Sequence, residues 1–385
     1  MQAFFPLLLP LVHGCTYFEV PQKDVGLVIG RSMELGDVLE DMDWRVVVRP
    51  RGTPVIYDGA PVGSKQKWGF VTIDGAGFKF LPREGLPLVT EGMNEKGLSV
   101  SANTFRGSVY QETPPAGNPS VSWFEVVPFL LSNFANVTEA LEGLRATAVV
   151  GPPLHTADRV CSTGACFHWA ISDASGHSAI VEYIKGKLVV WEGPKQHVGV
   201  MTNDPSLDWQ MTNLNQYVHV TPDWPNTNSA IEKQLDSGTV PQVVGNGFNL
   251  RGLPGDVTPA SRFVRAFYLR EYAMANLAED GSSPDGAIKL VTGILNSVYL
   301  VKGTVAKNSG LMDSWEYTPW ATIKIPKSHV FMYRTAADMT WKQISLNHLD
   351  FSVQAQEVIS PISQTDLGIK DITKELAPKP AQLIV

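Results

Sequence analysis

Apolar and polar residues alternate over short stretches through most of this chain, and in four places apolar residues recur at helical spacing instead. Alternation over 15–20 (CTYFEV) and 26–34 (GLVIGRSME) predicts two strands, and PQKDVG between them supplies a turn rich in Pro, Asp and Gly. Further strands are predicted at 45–50, 69–73, 98–102, 179–193, 197–203 and 329–335, with a hairpin bend at Lys185-Gly186-Lys187. Helical spacing is clearest at 122–134, 138–149, 261–279 and 286–298. Asn136-Val137-Thr138-Glu139 fits both an N-glycosylation acceptor and a helix N-cap. The cap reading needs nothing beyond helix physics and is preferred. Strand-rich ends around a helical middle favour a layered α+β domain. The stretch 221–252, rich in Pro, Asn and Gly, reads as a long excursion, and the polar segment from Gln354 onward reads as a peripheral tail.

Composition narrows the partners. A chain of 385 residues, 44% hydrophobic and 18% charged, is long enough for one large core or two modest ones. The net charge of −7, with no run of Lys and Arg, excludes nucleic acid as the main partner. Beyond residues 1–14 no apolar run reaches the roughly 18 residues of a membrane span. The opening MQAFFPLLLPLVHG is apolar and places Val12 and Gly14 at the −3 and −1 positions of a cleavage site, but has no Lys or Arg at its start. It reads either as a short signal peptide, which places the protein in the periplasm or outside the cell, or as residues ahead of a mis-set start, which leaves it in the cytoplasm. A bacterial lipobox also ends at cysteine but wants a small residue where His13 stands, so lipidation is the weaker reading.

Candidate chemistry starts from the cysteines. Cys15, Cys161 and Cys166 are odd in number, so they cannot all pair within one chain. Cys161 and Cys166 either bridge a loop in an oxidising compartment or serve as two small core residues. Zinc-protease, CxxC, P-loop and GxSxG patterns are absent, and the histidines are scattered without metal-ligand spacing. The first hairpin makes a geometric prediction. A turn centred near Lys23 pairs residues whose numbers sum to about 46 and sets Cys15 opposite Arg31, with cross-strand neighbours roughly 5 Å apart. A guanidinium beside a thiol favours the thiolate, whereas the plain alternative has Arg31 pairing with Glu34 or Asp37 on the surface.

Several separated motifs then bear a resemblance. Cys15-Thr16, GRSME at 30–34, GMNEKGL at 92–98, TNDPSLDWQMTNLNQY at 202–217 and LPGDVTPASRFVRA at 253–266 stand in the order and spacing of the choloylglycine hydrolase and penicillin V acylase family. The chain resembles these cysteine-dependent N-terminal-nucleophile hydrolases from Cys15 to about Phe351. The resemblance implies a four-layer αββα sandwich over 15–351, removal of residues 1–14, and a peripheral tail at 352–385. It also implies that Cys15 becomes the first residue, its thiol the nucleophile and its α-amine, with a reference pKa of about 7.7 to 8.0, the acid or base.

Site roles carry over position by position. Arg31 matches the arginine beside the nucleophile. Glu34 stands where the family usually has aspartate, and its carboxylate is expected to hold the α-ammonium. Asn203 matches the side-chain donor of the oxyanion hole, and the backbone N–H of Thr104, or of Asn103 if the register slips, matches the second donor. Arg262 matches a second active-site arginine. The reaction implied is hydrolysis of a linear amide in a small N-acyl substrate, with no cofactor or metal.

Family members cleave conjugated bile acids, phenoxyacetyl penicillin or acyl homoserine lactones. LPGDVTPASRF and NLNQY look like the bile-salt branch, whereas the segment 303–325 looks more like the penicillin-acylase branch. The 218–252 excursion has the place of the loop through which family members assemble into tetramers. Two readings of other classes rest on the same cysteine: a silent binding protein, if the leader stays attached, and a lipid-anchored surface protein, if Cys15 is acylated.

Overall fold

The computed structural model describes residues 14–36, 43–57, 60, 63–76, 87–151, 166–222, 247–276, 284–306 and 315–362. Residues 1–13, Cys161, most of the 221–252 excursion and the tail beyond 362 lie outside the described residues. In chain order the strands are β1 (Cys15–Gln22), β2 (Gly26–Gly36), β3 (Asp43–Arg49), β4 (Phe70–Ala76), β5 (Leu88–Asn94), β6 (Ser99–Thr104), β7 (Ser120–Ser122), β8 (Ala148–Val150) and β9 (Phe167–Ser172). They continue with β10 (Ser178–Ile184), β11 (Lys187–Glu192), β12 (Val200–Met201), β13 (Val305–Ala306), β14 (Trp315–Ile325), β15 (Val330–Thr335), β16 (Lys342–Ser345) and β17 (Val358–Pro361). The helices are α1 (Val126–Asn133), α2 (Val137–Ala146), α3 (Pro194–His197), α4 (Leu207–Asn213), α5 (Pro259–Asn276) and α6 (Pro284–Ser297).

Two antiparallel sheets carry the fold. The first runs β12-β1-β2-β14-β15-β16 with β13 beside β14, and the second runs β11-β10-β9-β6-β5-β4-β3-β17. Between them Cys15, Met33 and Trp320 of the first sheet share a core with Trp44, Val100 and Ala102 of the second. Trp44 meets Trp320 edge-on across this layer, with ring centroids 5.4 Å apart. Helices α5 and α6 cover the outer face of the first sheet, where Phe263, Ala266, Val291 and Ile294 pack on Phe18, Val28 and Ile323. Gly30 lets α6 approach: a Cβ there would lie 2.5 Å from Phe18 and 2.8 Å from Val291. Helices α1 and α2 cover the second sheet, with α1 lying on β5 and β6. The result is the αββα sandwich expected from the resemblance.

Local chemistry explains the helix starts. Asn136 accepts a hydrogen bond from the Glu139 backbone N–H at 2.9 Å, and Glu139 in turn accepts from Ala135 N–H, so α2 opens on a reciprocal cap. The 122–134 segment begins as a short 3₁₀ turn, Trp123–Glu125, before α1.

The first hairpin corrects the predicted register. Cys15 pairs with Met33 and Arg31 with Tyr17, because the ladder runs to Gln22 opposite Gly26 and the turn centres on Asp24 rather than Lys23. Gly26 adopts φ +79°, which lets the chain re-enter the ladder there. Arg31 is therefore the diagonal neighbour of Cys15 on the same face, not its direct partner.

Further differences concern strands, and β5, β9 and β16 were not among those predicted. The predicted strand at 197–203 reduces to Val200–Met201, since Pro194–His197 forms α3 and Val198 is left-handed. Strand β14 was not predicted: Pro319 interrupts its pattern, and the ladder to β2 shifts register between Tyr317 and Trp320 to accommodate it. Val358–Pro361, within the stretch read as a peripheral tail, pairs with β3 as an edge strand, and Ile362 is buried, so the sheet extends past residue 351.

Candidate active site

The site lies at the N-terminal end of β1, where both sheets and α5 meet. Cys15, Arg31, Glu34, Asn203 and Arg262 are each at most 2% exposed, and Thr104 is 6% exposed. Six residues separated by up to 247 positions are thus drawn into one buried cluster.

Arg31 reaches Cys15 from β2. Its Nη2 lies 3.6 Å from Cys15 Sγ and donates to the Ala102 carbonyl at 2.9 Å, while the guanidinium stacks 4.6 Å from the Trp320 ring centroid. Glu91 of β5 stands on the far side, with Oε2 3.5 Å from Arg31 Nε. Glu91 also pairs with Lys324 of β14, whose Nζ donates to Ser101 Oγ at 2.8 Å. This buried Arg31–Glu91–Lys324 chain fixes the guanidinium beside the thiol.

Asn203 and Arg262 hold the backbone of Cys15. The Cys15 N–H donates to Asn203 Oδ1 at 2.8 Å, and Arg262 Nη2 donates to the same oxygen at 2.8 Å. Arg262 Nη1 donates at 2.7 Å to both the Cys15 carbonyl and Thr16 Oγ1. With Oδ1 fixed in this way, the amide of Asn203 turns toward β6, where Nδ2 donates to the Thr104 carbonyl at 2.8 Å and to Thr104 Oγ1 at 2.9 Å. Local sequence builds these positions. Asp204 accepts from the Arg106 and Gly107 N–H groups, binding the loop after β6 to Asn203. Asp256 accepts from Thr258 and Ser261 at the start of α5, setting the turn that carries Arg262.

The ladder distinguishes Thr104 from Asn103. Phe105 N–H donates to the Cys166 carbonyl, so Thr104 and Phe167 form the intervening pair that exchanges no ladder bonds. Phe167 bonds instead to Tyr110 through its N–H and to Ser108 and Tyr110 through its carbonyl. The Thr104 N–H therefore turns away from β9. The Asn103 side chain is engaged elsewhere, donating to the Met201 and Thr202 carbonyls.

Gly14, which precedes Cys15, is gripped as closely. Its carbonyl accepts from the Glu34 backbone N–H at 2.7 Å, and its N–H donates to Glu316 Oε1 at 2.5 Å. The Glu34 carboxylate accepts from Thr318 Oγ1 at 3.2 Å and lies 3.8 Å from Arg262 Nη1. The nitrogen of Cys15 thus rests on Asn203, and the grip of Glu34 on this segment is through its backbone.

Burial dominates the electrostatics. It raises the Cys15 thiol above its ordinary value, opposed first by Arg31, while Glu34 adds to the rise. Arg31 acts in the direction read from the sequence, but desolvation outweighs it. Burial also pushes the Glu34 carboxyl up to about 7, against the pull of Arg262, and Glu316 adds to that rise. Lys324 is pushed down by burial against the pull of Glu91.

Sequence reasoning missed Glu91, Lys324, Thr318 and Glu316. The last three sit on β14, whose proline obscured the strand. Glu91 immediately precedes the GMNEKGL motif, on a strand buried along its whole length, so no alternation marked it. Among the described residues no group of three or more His, Cys, Asp or Glu side chains is placed to hold a metal ion. Cys15 is a free thiol, whereas Cys166 is disulfide-bonded.

Residues 15–361 match the linear amide C–N hydrolases of the choloylglycine hydrolase family. A bile salt hydrolase/transferase from Clostridium perfringens is 30% identical over 334 residues, 86% of this chain and 92% of its own length. A penicillin V acylase from Pectobacterium atrosepticum is 29% identical over 277 residues, 70% of this chain and 65% of that one. Among solved structures, a variant of the conjugated bile acid hydrolase from Clostridium perfringens superposes with a TM-score of 0.72 at 25% identity, covering 93% of this chain and 99% of that one. Penicillin V acylase from Agrobacterium tumefaciens gives a TM-score of 0.62 at 25% identity, covering 88% of each chain.

Proposed function

This chain belongs to the choloylglycine hydrolase family of linear amide C–N hydrolases, and on that premise we propose that Cys15, once freed from Gly14, is the nucleophile that cuts a small N-acyl amide. The observation that carries this reading is the clamped Gly14–Cys15 peptide, with Arg31 Nη2 3.6 Å from the thiol sulfur and Asn203 on the Cys15 nitrogen.

Two reactions follow at one site. In the first, the thiol attacks the Gly14 carbonyl carbon, the C–N bond breaks as the C–S bond forms, and the thiol proton passes to the departing Cys15 nitrogen. Water then cleaves the thioester, releasing the leader as a carboxylate and restoring the thiol beside a new α-amine. Burial of Gly14 and Cys15 supports a cut from within, since an external protease cannot reach the bond in the folded chain.

In the second, the amine takes the thiol proton and the thiolate, beside Arg31, attacks the substrate carbonyl. Asn203 Nδ2 and the Thr104 N–H receive the oxyanion, and the amine returns the proton to the leaving nitrogen. Water completes the cycle by hydrolysing the acyl thioester. Arg262 orients Asn203 and the Cys15 carbonyl, and the Glu34 carboxylate receives the new ammonium.

For substrate we place conjugated bile salts ahead of penicillin V, because the Clostridium relative matches over 92% of its length and the Pectobacterium relative over 65%. The bonded state of Cys166 favours a compartment that oxidises thiols, periplasmic or extracellular. Assembly into tetramers through the 218–252 excursion belongs to the same proposal, and light scattering measures it. The testing experiment follows amine release from glycocholate, penicillin V and an acyl homoserine lactone, with wild type and Cys15→Ala in parallel. Turnover of glycocholate that vanishes in the variant supports the reading, and undiminished turnover in Cys15→Ala removes it.

A further inference from the structure

Glu316 is a buried carboxylate at the site for which the amide-hydrolysis steps above have no use. It sits on β14 just before the register shift at Tyr317 and Trp320, opposite Gly36 of β2. That irregular segment brings Glu316 Oε1 to within 2.5 Å of the Gly14 N–H. A carboxylate accepting from a buried amide makes a charge-assisted hydrogen bond, among the stronger side-chain contacts.

Three walls close around Gly14. A Cβ at that position would stand 2.8 Å from Arg262 Nη2, 2.9 Å from Glu316 Oε1 and 3.2 Å from Glu34 Cβ. Its two backbone polar groups are taken at the same time, the N–H by Glu316 and the carbonyl by the Glu34 N–H. On the other side of the scissile bond, the Cys15 N–H and carbonyl are held by Asn203 and Arg262. The backbone polar groups of both residues flanking the cut are therefore bound, and a Cβ on the residue before the cut would push Arg262 Nη2 and Glu316 Oε1 off the hydrogen bonds they make to Asn203 and Gly14.

We propose that Glu316 and the Glu34 backbone N–H form a clamp specific to the leader-bearing chain, which favours glycine before Cys15 and sets the Gly14–Cys15 bond for its own removal. Glu316 is a positioning residue for leader release and takes no part in amide hydrolysis once Gly14 has gone. The clamp also assigns a reason to Gly14 that differs from signal-peptidase preference. Alanine would suit a signal peptidase at this position but would displace Arg262 Nη2 and Glu316 Oε1 from their hydrogen bonds.

The inference rests on removal from within, and the test separates the two. Full chains carrying wild-type sequence, Gly14→Ala, Glu316→Ala, Glu316→Gln or Cys15→Ala are purified promptly. Leader release is followed by intact mass, and turnover of the substrate cleaved by wild type is expressed per released chain. Losing one charge-assisted hydrogen bond is expected to slow release in Glu316→Ala by roughly tenfold or more. Glu316→Gln, which keeps an oxygen acceptor in the same place, recovers much of the rate, and Gly14→Ala releases its leader more slowly than wild type. Turnover per released chain stays at the wild-type value in Glu316→Ala, and its melting temperature reports that the fold is intact. Release at the wild-type rate in both Glu316→Ala and Gly14→Ala overturns the clamp. So does a fall in turnover per released chain that matches the fall in release, which would place Glu316 in hydrolysis instead. Leader loss from Cys15→Ala at the wild-type rate defeats removal from within, irrespective of Glu316.

Discussion

Glu34 offers a quantitative handle on the buried site. Its carboxyl is pushed up to about 7 from an ordinary 4.5, chiefly by burial, so the folded leader-bearing chain holds this proton far more tightly than the unfolded one. The difference corresponds to about 3 kcal/mol. The sign follows from the raised value. The contribution to stability is fully present below pH 4.5 and is lost as the pH rises through about 7. Glu34→Gln mimics the protonated acid in shape and charge. We expect that, in a Cys15→Ala background that keeps the leader, it matches its parent to within a few tenths of a kcal/mol at about pH 4 and exceeds it by up to about 3 kcal/mol at about pH 9. Urea unfolding of the two chains at intervals across this range measures the difference, and titrations common to both chains cancel. A gap between the two chains that stays constant from about pH 4 to about pH 9 would refute the reasoning.

Two other substitutions probe the neighbouring groups. Asn203→Ala, which removes Nδ2 from the proposed oxyanion site, is expected to lower kcat by about a hundredfold or more, read from steady-state kinetics on the released chain. Glu91→Gln strands Arg31 and Lys324 as buried cations without their shared carboxylate, and is expected to cost about 3 to 5 kcal/mol in chemical denaturation. Adding Lys324→Met to that variant should recover part of the loss.

Much of this site could be read along the chain, because its groups sit in contiguous stretches whose residue types are chemically distinctive. Cys15, Arg31, Asn203 and Arg262 were each singled out within such stretches, and the fold brings them into one hydrogen-bonded cluster. The register of β1 and β2 was displaced because a turn read from Pro21 and Asp24 leaves open which residue takes the left-handed position, and Gly26 takes it. Glu316 and Thr318 were hidden for a different reason. Alternation fails across Pro319, and only pairing with β2 on one side and with β13 and then β15 on the other makes a strand of that segment. Edge strand β17 was equally illegible, since its residues are exposed and its pattern is supplied by β3 rather than by its own alternation. The rise in the Cys15 thiol depends on burial between two sheets, which no local pattern encodes.

The central claim is that cutting the Gly14–Cys15 bond creates the catalytic amine. It is tested most directly by the intact mass of the purified chain measured alongside its turnover of an N-acyl amide. The account predicts that turnover appears only with chains that begin at Cys15 and carry an unmodified α-amine. Turnover from a chain that retains Gly14, or whose Cys15 bears a diacylglyceryl or other acyl mass, would contradict it.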